Sequence, residues 1–272
     1  MNWRLIRAIA IKDLKEVRQN RMAWLPAIIV PLIFVIVLPL IFLALPRAFA
    51  GGDFMSGELD DLMGMVSPAL ADQLEGLNPE QMVTVLLLGY LLAPLFLIMP
   101  LMFAGIVGAE SFVGEKERKT LEALLYTPAS DQELFLGKLV ASVIPAIALS
   151  LLCFAVYTIV LNVVGWPTMG RIWFPLPHWW PLMLWVAPAV ATLGMAVSVI
   201  VSTRVSTFME AYQFSSALVL PLLVLVIGQI VGIISLSVGL MLGVGLLIWI
   251  LDAVLIRIGL RIFRRSELIA RI

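Results

Sequence analysis

The sequence has few of the side chains on which catalysis and covalent cross-linking depend. It contains one histidine, His178, and one cysteine, Cys153, among 272 residues. A single cysteine excludes a disulfide within the chain, and a single histidine excludes a metal site built from several histidines of one chain. Charged residues make up 13% of the sequence and their signs balance, 18 against 18. The overall charge therefore gives no reason to expect a nucleic-acid partner.

Complete catalytic and nucleotide-binding motifs are also missing. A phosphate-binding loop needs GxxxxGK[ST] after a strand. The nearest string, GEKERKT at 114–120, lacks the second glycine and follows no predicted strand. HExxH and GxSxG do not occur, and paired intramembrane aspartates are excluded because Asp252 is the one acid clearly inside an apolar run. The sequence thus predicts no catalytic, cofactor or metal site, so any ATP hydrolysis belongs to another polypeptide.

Apolar residues, by contrast, are abundant. They make up 62% of the chain, and the mean hydropathy is +1.06. This composition is typical of a polytopic membrane protein and leaves no room for a separate soluble domain. Six apolar runs approach the roughly 20 residues that cross a bilayer. They lie at 22–45, 82–107, 138–164, 182–202, 213–233 and 236–257. We predict an all-α integral membrane protein with six transmembrane helices, forming one membrane domain over 1–272.

The distribution of lysine and arginine predicts the orientation of these spans. Residues 1–21 carry six basic residues, and the segment from Arg257 onward carries five. The connection 46–81 carries one basic residue against seven acids. Basic residues are retained on the cytoplasmic side. Both termini are therefore predicted to be cytoplasmic, and the segment between the second and third spans lies on the same side.

Residues 1–21 form a predicted amphipathic elbow helix on the membrane surface. Its apolar face comprises Trp3, Ile6, Ala10, Leu14 and Val17, and its basic face comprises Arg4, Arg7, Lys12, Lys15 and Arg18. Such a helix lies at the level of the lipid headgroups with its cations toward water. A disordered basic tail is the alternative.

Three outer connections have weaker signals. The extracytoplasmic segment 46–81 has two short amphipathic stripes, which indicate either a lid over an exit or a solvated acidic loop. The tryptophan-rich connection 165–181, which includes His178, is typical of an aromatic belt at the membrane interface. The uncharged connection between the last two spans fits a helical hairpin or a re-entrant dip.

Asp252 is a candidate intramembrane polar site. An acid inside a span is a functional candidate by default. The predicted span places it about one turn from the cytoplasmic end, within reach of water, Arg257 or Arg204. We therefore keep two hypotheses, a structural ion pair or interfacial position, and a role toward substrate or an ion.

The most informative stretch is 110–138, ESFVGEKERKTLEALLYTPASDQELFLGK. Its charge density is incompatible with hydrocarbon, so it lies in water or against another protein. A helix is predicted over 111–126, ending before Pro128. Ser130 and Glu133 form a predicted capping box that begins the next helix. The apolar stripe of the first helix comprises Leu121, Leu124 and Leu125.

The pattern ExExxTLExLLxTPxSxxExxxGK in this stretch resembles the loop between the second and third spans of ABC-2 type permeases, the membrane subunits of type V ABC exporters. The matching residues are Glu115, Glu117, Thr120, Leu121, Glu122, Leu124, Leu125, Thr127, Pro128, Ser130, Glu133, Gly137 and Lys138. Lys119 departs from the pattern, since many members carry glycine there. The order of spans agrees over nearly the whole chain, and the resemblance extends to the NatB-like permeases.

The resemblance implies that segment 110–137 is a coupling loop that docks on a separate ATP-binding subunit. The residues that it assigns to this contact are Glu115, Glu117, Arg118, Thr120, Leu121, Glu122, Leu124 and Leu125. It also implies that ATP and Mg²⁺ are bound by that ATPase partner, and that two permease subunits work as a homo- or heterodimer among membrane lipids. An ordinary solvated loop is the alternative for this stretch.

The expected function is that of an ATP-driven export permease in a bacterial or archaeal plasma membrane. The scarcity of charge in the spans favours an apolar or amphipathic substrate, such as a lipid, drug or peptide. Sodium efflux, a stand-alone ion-coupled carrier or intramembrane enzyme, and an ATP-dependent signalling complex are the alternatives. A carrier would usually show inverted repeats and charged or broken helices at mid-membrane, and we find no convincing repeat.

Overall fold

The computed structural model describes residues 2–19, 21–49, 74–120, 129–230 and 236–262. These residues are helical almost throughout and contain no strand, which confirms the all-α class. The predicted apolar stripe of the coupling loop, most of segment 46–81 and the connection at 231–235 lie outside the described residues. So does the end of the basic tail, residues 263–272.

The described residues contain an N-terminal helix, Trp3–Gln19, and six helices long and apolar enough to cross a membrane. We number them spans 1 to 6: Leu25–Ala44, Pro79–Glu117, Asp131–Val164, Trp179–Val201, Phe208–Gln229 and Val238–Arg261.

Span 1 belongs to a helix made of Arg21–Leu32, the π segment Ile33–Val37 and Leu38–Phe49. Span 2 comprises Pro79–Thr84, the π segment Val85–Leu91, Leu92–Phe96, Ile98–Ala109, the π segment Glu110–Gly114 and Glu115–Glu117. Span 3 is the helix Asp131–Val164, followed by the short helix Trp166–Met169. Span 4 comprises Trp179–Pro181, the π segment Leu182–Val186 and Ala187–Val201. Span 5 comprises Phe208–Ser216 and Val219–Ile230, and span 6 belongs to the helix Val238–Ile262.

Spans 2 and 4 form the centre of the bundle. They pack most extensively against each other, and 67% and 61% of their most apolar stretches are buried. The corresponding values for spans 1, 5 and 6 are 22%, 22% and 17%. Their exposed apolar faces require a nonpolar surrounding, since such extensive apolar surface is not stable in water. The outer spans therefore present their faces to lipid or to another subunit.

A π segment in span 2 explains the position of several polar side chains. A π helix bonds each amide to the fifth preceding carbonyl, which leaves neighbouring carbonyls without their usual helical partner. Tyr157 donates its hydroxyl hydrogen to the carbonyl of Leu88 at 2.7 Å. Trp179 Nε1 donates to the carbonyl of Gly89 at 2.7 Å, and His178 Nε2 lies 2.9 Å from the same oxygen. Side chains from two other parts of the chain thus complete the hydrogen bonding of span 2.

This arrangement corrects the prediction that the whole connection 165–181 is an interfacial aromatic belt. Trp179 is fully buried, and His178 is 3% exposed. Only Trp166 and Trp180, each about half exposed, have the exposure that a belt requires. Helical periodicity could not reveal the difference, because the buried rings bind carbonyls of a distant span.

The N-terminal helix lies along the start of span 3. It buries Ile6, Ile9 and Val17, while its basic residues stay largely exposed. The two helices approach closely at Gly137, where an added Cβ would lie 2.8 Å from the Ile9 side chain. A larger residue at 137 would force the helices apart. The amphipathic helix is thus present, and the chain itself buries Ile6, Ala10 and Val17 of its apolar face but leaves Trp3 exposed.

Segment 110–137 differs from the predicted loop at both ends. Residues 110–117 continue the helix of span 2, and residues 131–137 belong to the helix of span 3. The capping box is confirmed, because Ser130 Oγ accepts from the Glu133 amide at 3.3 Å and Glu133 Oε2 accepts from the Ser130 amide at 3.0 Å. The helices of spans 2 and 3 therefore extend into the two ends of segment 110–137.

Candidate functional site

A cluster of seven charged side chains and one serine lies where the N-terminal helix, the end of span 2 and the start of span 3 meet. We call it the charge cluster. Its members are Lys12, Asp13, Glu16, Glu110, Ser111, Glu115, Arg118 and Lys138. It sits directly at the base of the predicted coupling loop, since residues 118–120 leave it on one side and Ser130 leads back to it on the other.

Lys138 is the centre of the charge cluster. Its side chain is fully buried. Nζ donates to Glu115 Oε2 at 2.8 Å and to Ser111 Oγ at 3.1 Å, and lies 3.6 Å from Asp13 Oδ2. It also lies 5.1 Å from the centre of the Phe112 ring. One ammonium group therefore joins three helices that are distant in sequence.

The acidic partners of Lys138 are equally buried. Glu115 is fully buried and Asp13 is 1% exposed. Glu115 accepts a second hydrogen bond from Lys12, and Asp13 accepts one from Ser111. A buried charge is tolerated only when paired and hydrogen-bonded, because desolvation costs several kcal/mol per ion. These contacts meet that condition.

The more exposed side of the charge cluster is closed by Arg118. Its guanidinium pairs with Glu110 at 2.5 Å and with Glu16 at 3.3 Å. Burial disfavours the charged form of Arg118, but the Glu110 carboxylate outweighs it and raises the pKa. Burial likewise disfavours the charged form of Lys12, but the Glu115 carboxylate favours it. The net effect is a raised pKa of Lys12. Both cations therefore stay charged at any physiological pH.

The carboxylates of the charge cluster do not form an open metal site. Ligand atoms of Asp13, Glu16 and Glu115 lie within 4.8 Å of one another. Lys12 already bridges all three, at 3.4 Å from Asp13 and 3.1 Å from Glu16 and in contact with Glu115. Its ammonium supplies the positive charge that a cation would bring. The cluster is suited to holding helices together.

The helix that leaves the charge cluster ends at Glu117, which corrects the predicted continuous helix over 111–126. The Thr120 amide donates to the carbonyl of Glu115 at 2.9 Å, and the Lys119 amide donates to that of Lys116 at 3.1 Å. This pair of bonds is the Schellman motif that closes a helix. Lys119 has a φ of 56°, the left-handed conformation that the motif requires and that glycine adopts most easily. The position at which Lys119 departs from the family pattern is thus a helix end.

A second connection fastens this helix end to span 5. Glu117 Oε2 accepts from the Phe208 amide at 2.9 Å, at the first turn of the helix Phe208–Ser216. Lys116 Nζ donates to the carbonyl of Val205 at 3.2 Å. A carboxylate at a helix N-terminus stabilises unpaired amides and interacts favourably with the helix dipole. The end of span 2 is therefore joined to span 5 as well as to span 3.

The predicted ATPase contacts fall into three groups. Glu115 is buried within the chain, so it positions the loop and offers no surface to a partner. Glu117, Arg118 and Thr120 are exposed at the helix end. Leu121, Glu122, Leu124 and Leu125 lie outside the described residues.

Sequence reasoning missed the contribution of the N-terminal helix. Asp13 is spaced three residues after Ala10 and four before Val17, so it falls in the buried stripe of that helix. An acid in an apolar stripe requires a buried partner. That signal was available, but the identity of the partner, Lys138, depends on a contact 125 residues away in sequence.

Asp252 is deeper and less paired than predicted. The helix continues ten residues beyond it to Ile262, or roughly 15 Å at 1.5 Å per residue. Asp252 is fully buried, and neither carboxylate oxygen has a hydrogen-bond partner among the residues that the structure describes. The structural ion pair with Arg257 or Arg204 is thus not observed.

The neighbours of Asp252 can be inferred from two glycine contacts. Gly245 lies against Trp185, and Gly259 lies against Val199, so spans 4 and 6 run parallel with an offset of 60 residues. Asp252 is midway between these glycines and is therefore level with Thr192. The Thr192 hydroxyl donates to the carbonyl of Pro188 at 2.9 Å.

The six spans, the amphipathic N-terminal helix and the charge cluster together define a multi-pass α-helical membrane subunit. The family model described as "ABC-2 family transporter protein" matches residues 7–247. The chain belongs to this family and is a permease subunit of an ABC transporter. The family implies partnership with an ABC ATPase subunit, in which the ATPase activity lies. No curated protein matches the chain, and no solved structure does. The NatB-like subtype stays a prediction.

Proposed function

We propose that this permease exports an apolar or amphipathic substrate, driven by an ATPase subunit that docks on the loop between spans 2 and 3. The observation that carries the proposal is the charge cluster. It fixes the base of that loop to three helices through buried ion pairs, with Lys138 in contact with both Glu115 and Asp13. A force applied to the loop is therefore transmitted to the spans.

The exposed helix end supplies the docking surface in this proposal. Glu117, Arg118 and Thr120 are exposed there, and they precede the sequence-predicted stripe that includes Leu124. The apolar stripe would fill a groove of the ATPase, and the flanking charges would fix its register. Displacement of Glu117 would also pull on the Phe208 amide at the start of span 5.

The proposed substrate class follows from how few charged residues are buried in the interior of the bundle. Among the described residues, the buried charges other than Asp252 lie in the charge cluster at one end of the spans. A hydrated cation would need several polar ligands along its path. Outside the charge cluster, and apart from the isolated Asp252, the buried polar side chains of the described bundle are hydroxyls and His178, and this lack of charge favours a lipid, drug or peptide over sodium.

The remaining features follow from this mode of action. We place the protein in a bacterial or archaeal plasma membrane, with two permease subunits and two ATPase subunits in the complex. The exposed apolar faces of spans 1, 5 and 6 offer surface for the second permease copy and for lipid. Nucleotide and Mg²⁺ would be bound by the ATPase subunits.

The decisive test compares Leu124→Asp with Ala123→Asp in a permease co-expressed with its ATPase. Both changes add one carboxylate to the same short segment, but only Leu124 belongs to the predicted apolar stripe. We expect both variants to reach the membrane, and Leu124→Asp alone to lose the ATPase on affinity purification. Equal retention of the ATPase by the two variants would refute the docking surface.

A further inference from the structure

An apolar groove runs between the N-terminal helix and span 3, on the side away from the charge cluster. Its volume is about 180 Å³. It is lined by Trp3, Ile6, Arg7, Ala10, Ile11, Leu14, Val140, Ile144 and Pro145. Trp3 is 67% exposed and Ile144 is 58% exposed, so large apolar side chains surround the opening.

The groove combines this apolar wall with one cation. Arg7 is the charged residue among those that line it, and its side chain is exposed. It follows Trp3 by four residues and precedes Ile11 by four, so all three lie on one face of the helix. Within the described part of the chain, no carboxylate pairs with Arg7. An arginine in this position can extend its guanidinium to the headgroup level while its stem lies on the apolar wall.

We infer that this groove binds one acyl chain of an anionic phospholipid, with the lipid phosphate on Arg7. The apolar wall matches the hydrocarbon chain, and the unpaired guanidinium matches the phosphate, which it can bind through two parallel hydrogen bonds. Amphipathic helices of this kind lie at the level of the lipid headgroups, where such a phosphate would meet Arg7. The site does not depend on the transported substrate or on the ATPase, and it would anchor the helix that supplies Lys12 and Asp13 to the charge cluster.

The headgroup contact is tested with Arg7→Gln and its matched control Arg4→Gln. Both residues are exposed arginines of the same helix, but Arg4 does not line the groove. The purified protein is incubated with equal amounts of phosphatidylglycerol and phosphatidylcholine, and retained lipid is counted by native mass spectrometry. We expect the unaltered protein to retain phosphatidylglycerol preferentially. Arg7→Gln should lower that retention about fivefold, the effect of one basic residue near an anionic headgroup, and Arg4→Gln should leave it within twofold.

The acyl-chain contact is tested with Ile144→Trp and its matched control Ile159→Trp. Both are exposed isoleucines of span 3, at 58% and 62%, but only Ile144 lines the groove. The indole ring at 144 should fill the groove and reduce retention of both lipids. The same ring at 159 should leave lipid retention unchanged.

Three results would overturn the proposal. They are equal loss of phosphatidylglycerol in both arginine variants, no preference for phosphatidylglycerol in the unaltered protein, and full lipid retention in Ile144→Trp. A second protein copy bound in place of lipid, and displaced by Ile144→Trp, would also count against it.

Discussion

Among the residues of the charge cluster, Lys138 is the one whose replacement should reduce folding stability most. Replacing Lys138 with methionine keeps the length of the side chain but leaves Glu115 and Asp13 without the ammonium that lies 2.8 Å and 3.6 Å from them. Breaking a buried ion pair by removing one partner costs about 3–5 kcal/mol. In Lys138→Met the two buried carboxylates would keep, among the described residues, only Lys12 and Ser111 as partners. We therefore expect a loss of folding stability in that range for Lys138→Met.

Lys12 provides the internal comparison. It also contacts Glu115, but 38% of its side chain is exposed, so water screens the interaction. Exposed pairs contribute about 0–1 kcal/mol. Lys12→Met should consequently destabilise the protein much less than Lys138→Met, although both substitutions remove one lysine from the same carboxylate.

The assay is thermal unfolding of the detergent-solubilised protein. The quantity measured is the fraction of protein that remains monodisperse after heating to each temperature. A double-mutant cycle with Lys138→Met and Glu115→Gln should give a coupling energy of about 0.5–3 kcal/mol, since neutralising Glu115 removes much of the penalty. The reasoning is refuted if Lys138→Met unfolds at the temperature of the unaltered protein, or if the two lysine variants lose the same stability.

Three further predictions concern the helix end and Asp252. Lys119→Gly should raise stability by about 1 kcal/mol, because glycine adopts the left-handed backbone at φ 56° without strain. Lys119→Gln removes the same charge but keeps the backbone strain, so the two variants should unfold at different temperatures. Glu117→Ala should speed hydrogen exchange at the first amides of the helix Phe208–Ser216 and cost about 1 kcal/mol, and unchanged exchange at Phe208 would argue against the connection to span 5. Asp252→Asn should change stability less than Glu115→Gln, because Asp252 has no partner to lose within the described chain, and an equal loss would indicate an ion pair.

The spans and the capping box could be predicted from local sequence. An apolar run of about 20 residues crosses a bilayer as an α-helix, because every backbone polar group must then be hydrogen-bonded within the segment itself. Ser130 and Glu133 are three residues apart and contact each other, so their pairing needs no information from the rest of the chain. Such features depend on neighbours in sequence.

The charge cluster could not be predicted in the same way. The sequence predicts that the stretch 110–138 lies in water or on a partner, because its charges cannot face hydrocarbon. Glu115 and Lys138 instead pair with residues of the N-terminal helix, 103 and 125 residues distant. Such contacts follow from how the helices pack, which the hydrophobic pattern alone does not specify.

The helix end at Lys119 was missed for a different reason. Glycine in the left-handed position is the usual sign of a helix end, and here a lysine occupies it. Local propensity therefore favoured a longer helix. The hydrogen bonds of Lys119 and Thr120 outweigh the modest strain of a left-handed lysine.

In the proposed mechanism, an ATPase subunit acts on the chain through the loop that leaves the charge cluster. The most direct measurement is a cross-link from Thr120→Cys, in a Cys153→Ser background, to the co-expressed ATPase in intact membranes. We predict a cross-linked product that forms on the cytoplasmic side and changes in yield when ATP is added. A thiol at 120 that reacts with an impermeant reagent from the outside, or that never cross-links to the ATPase, would contradict the account.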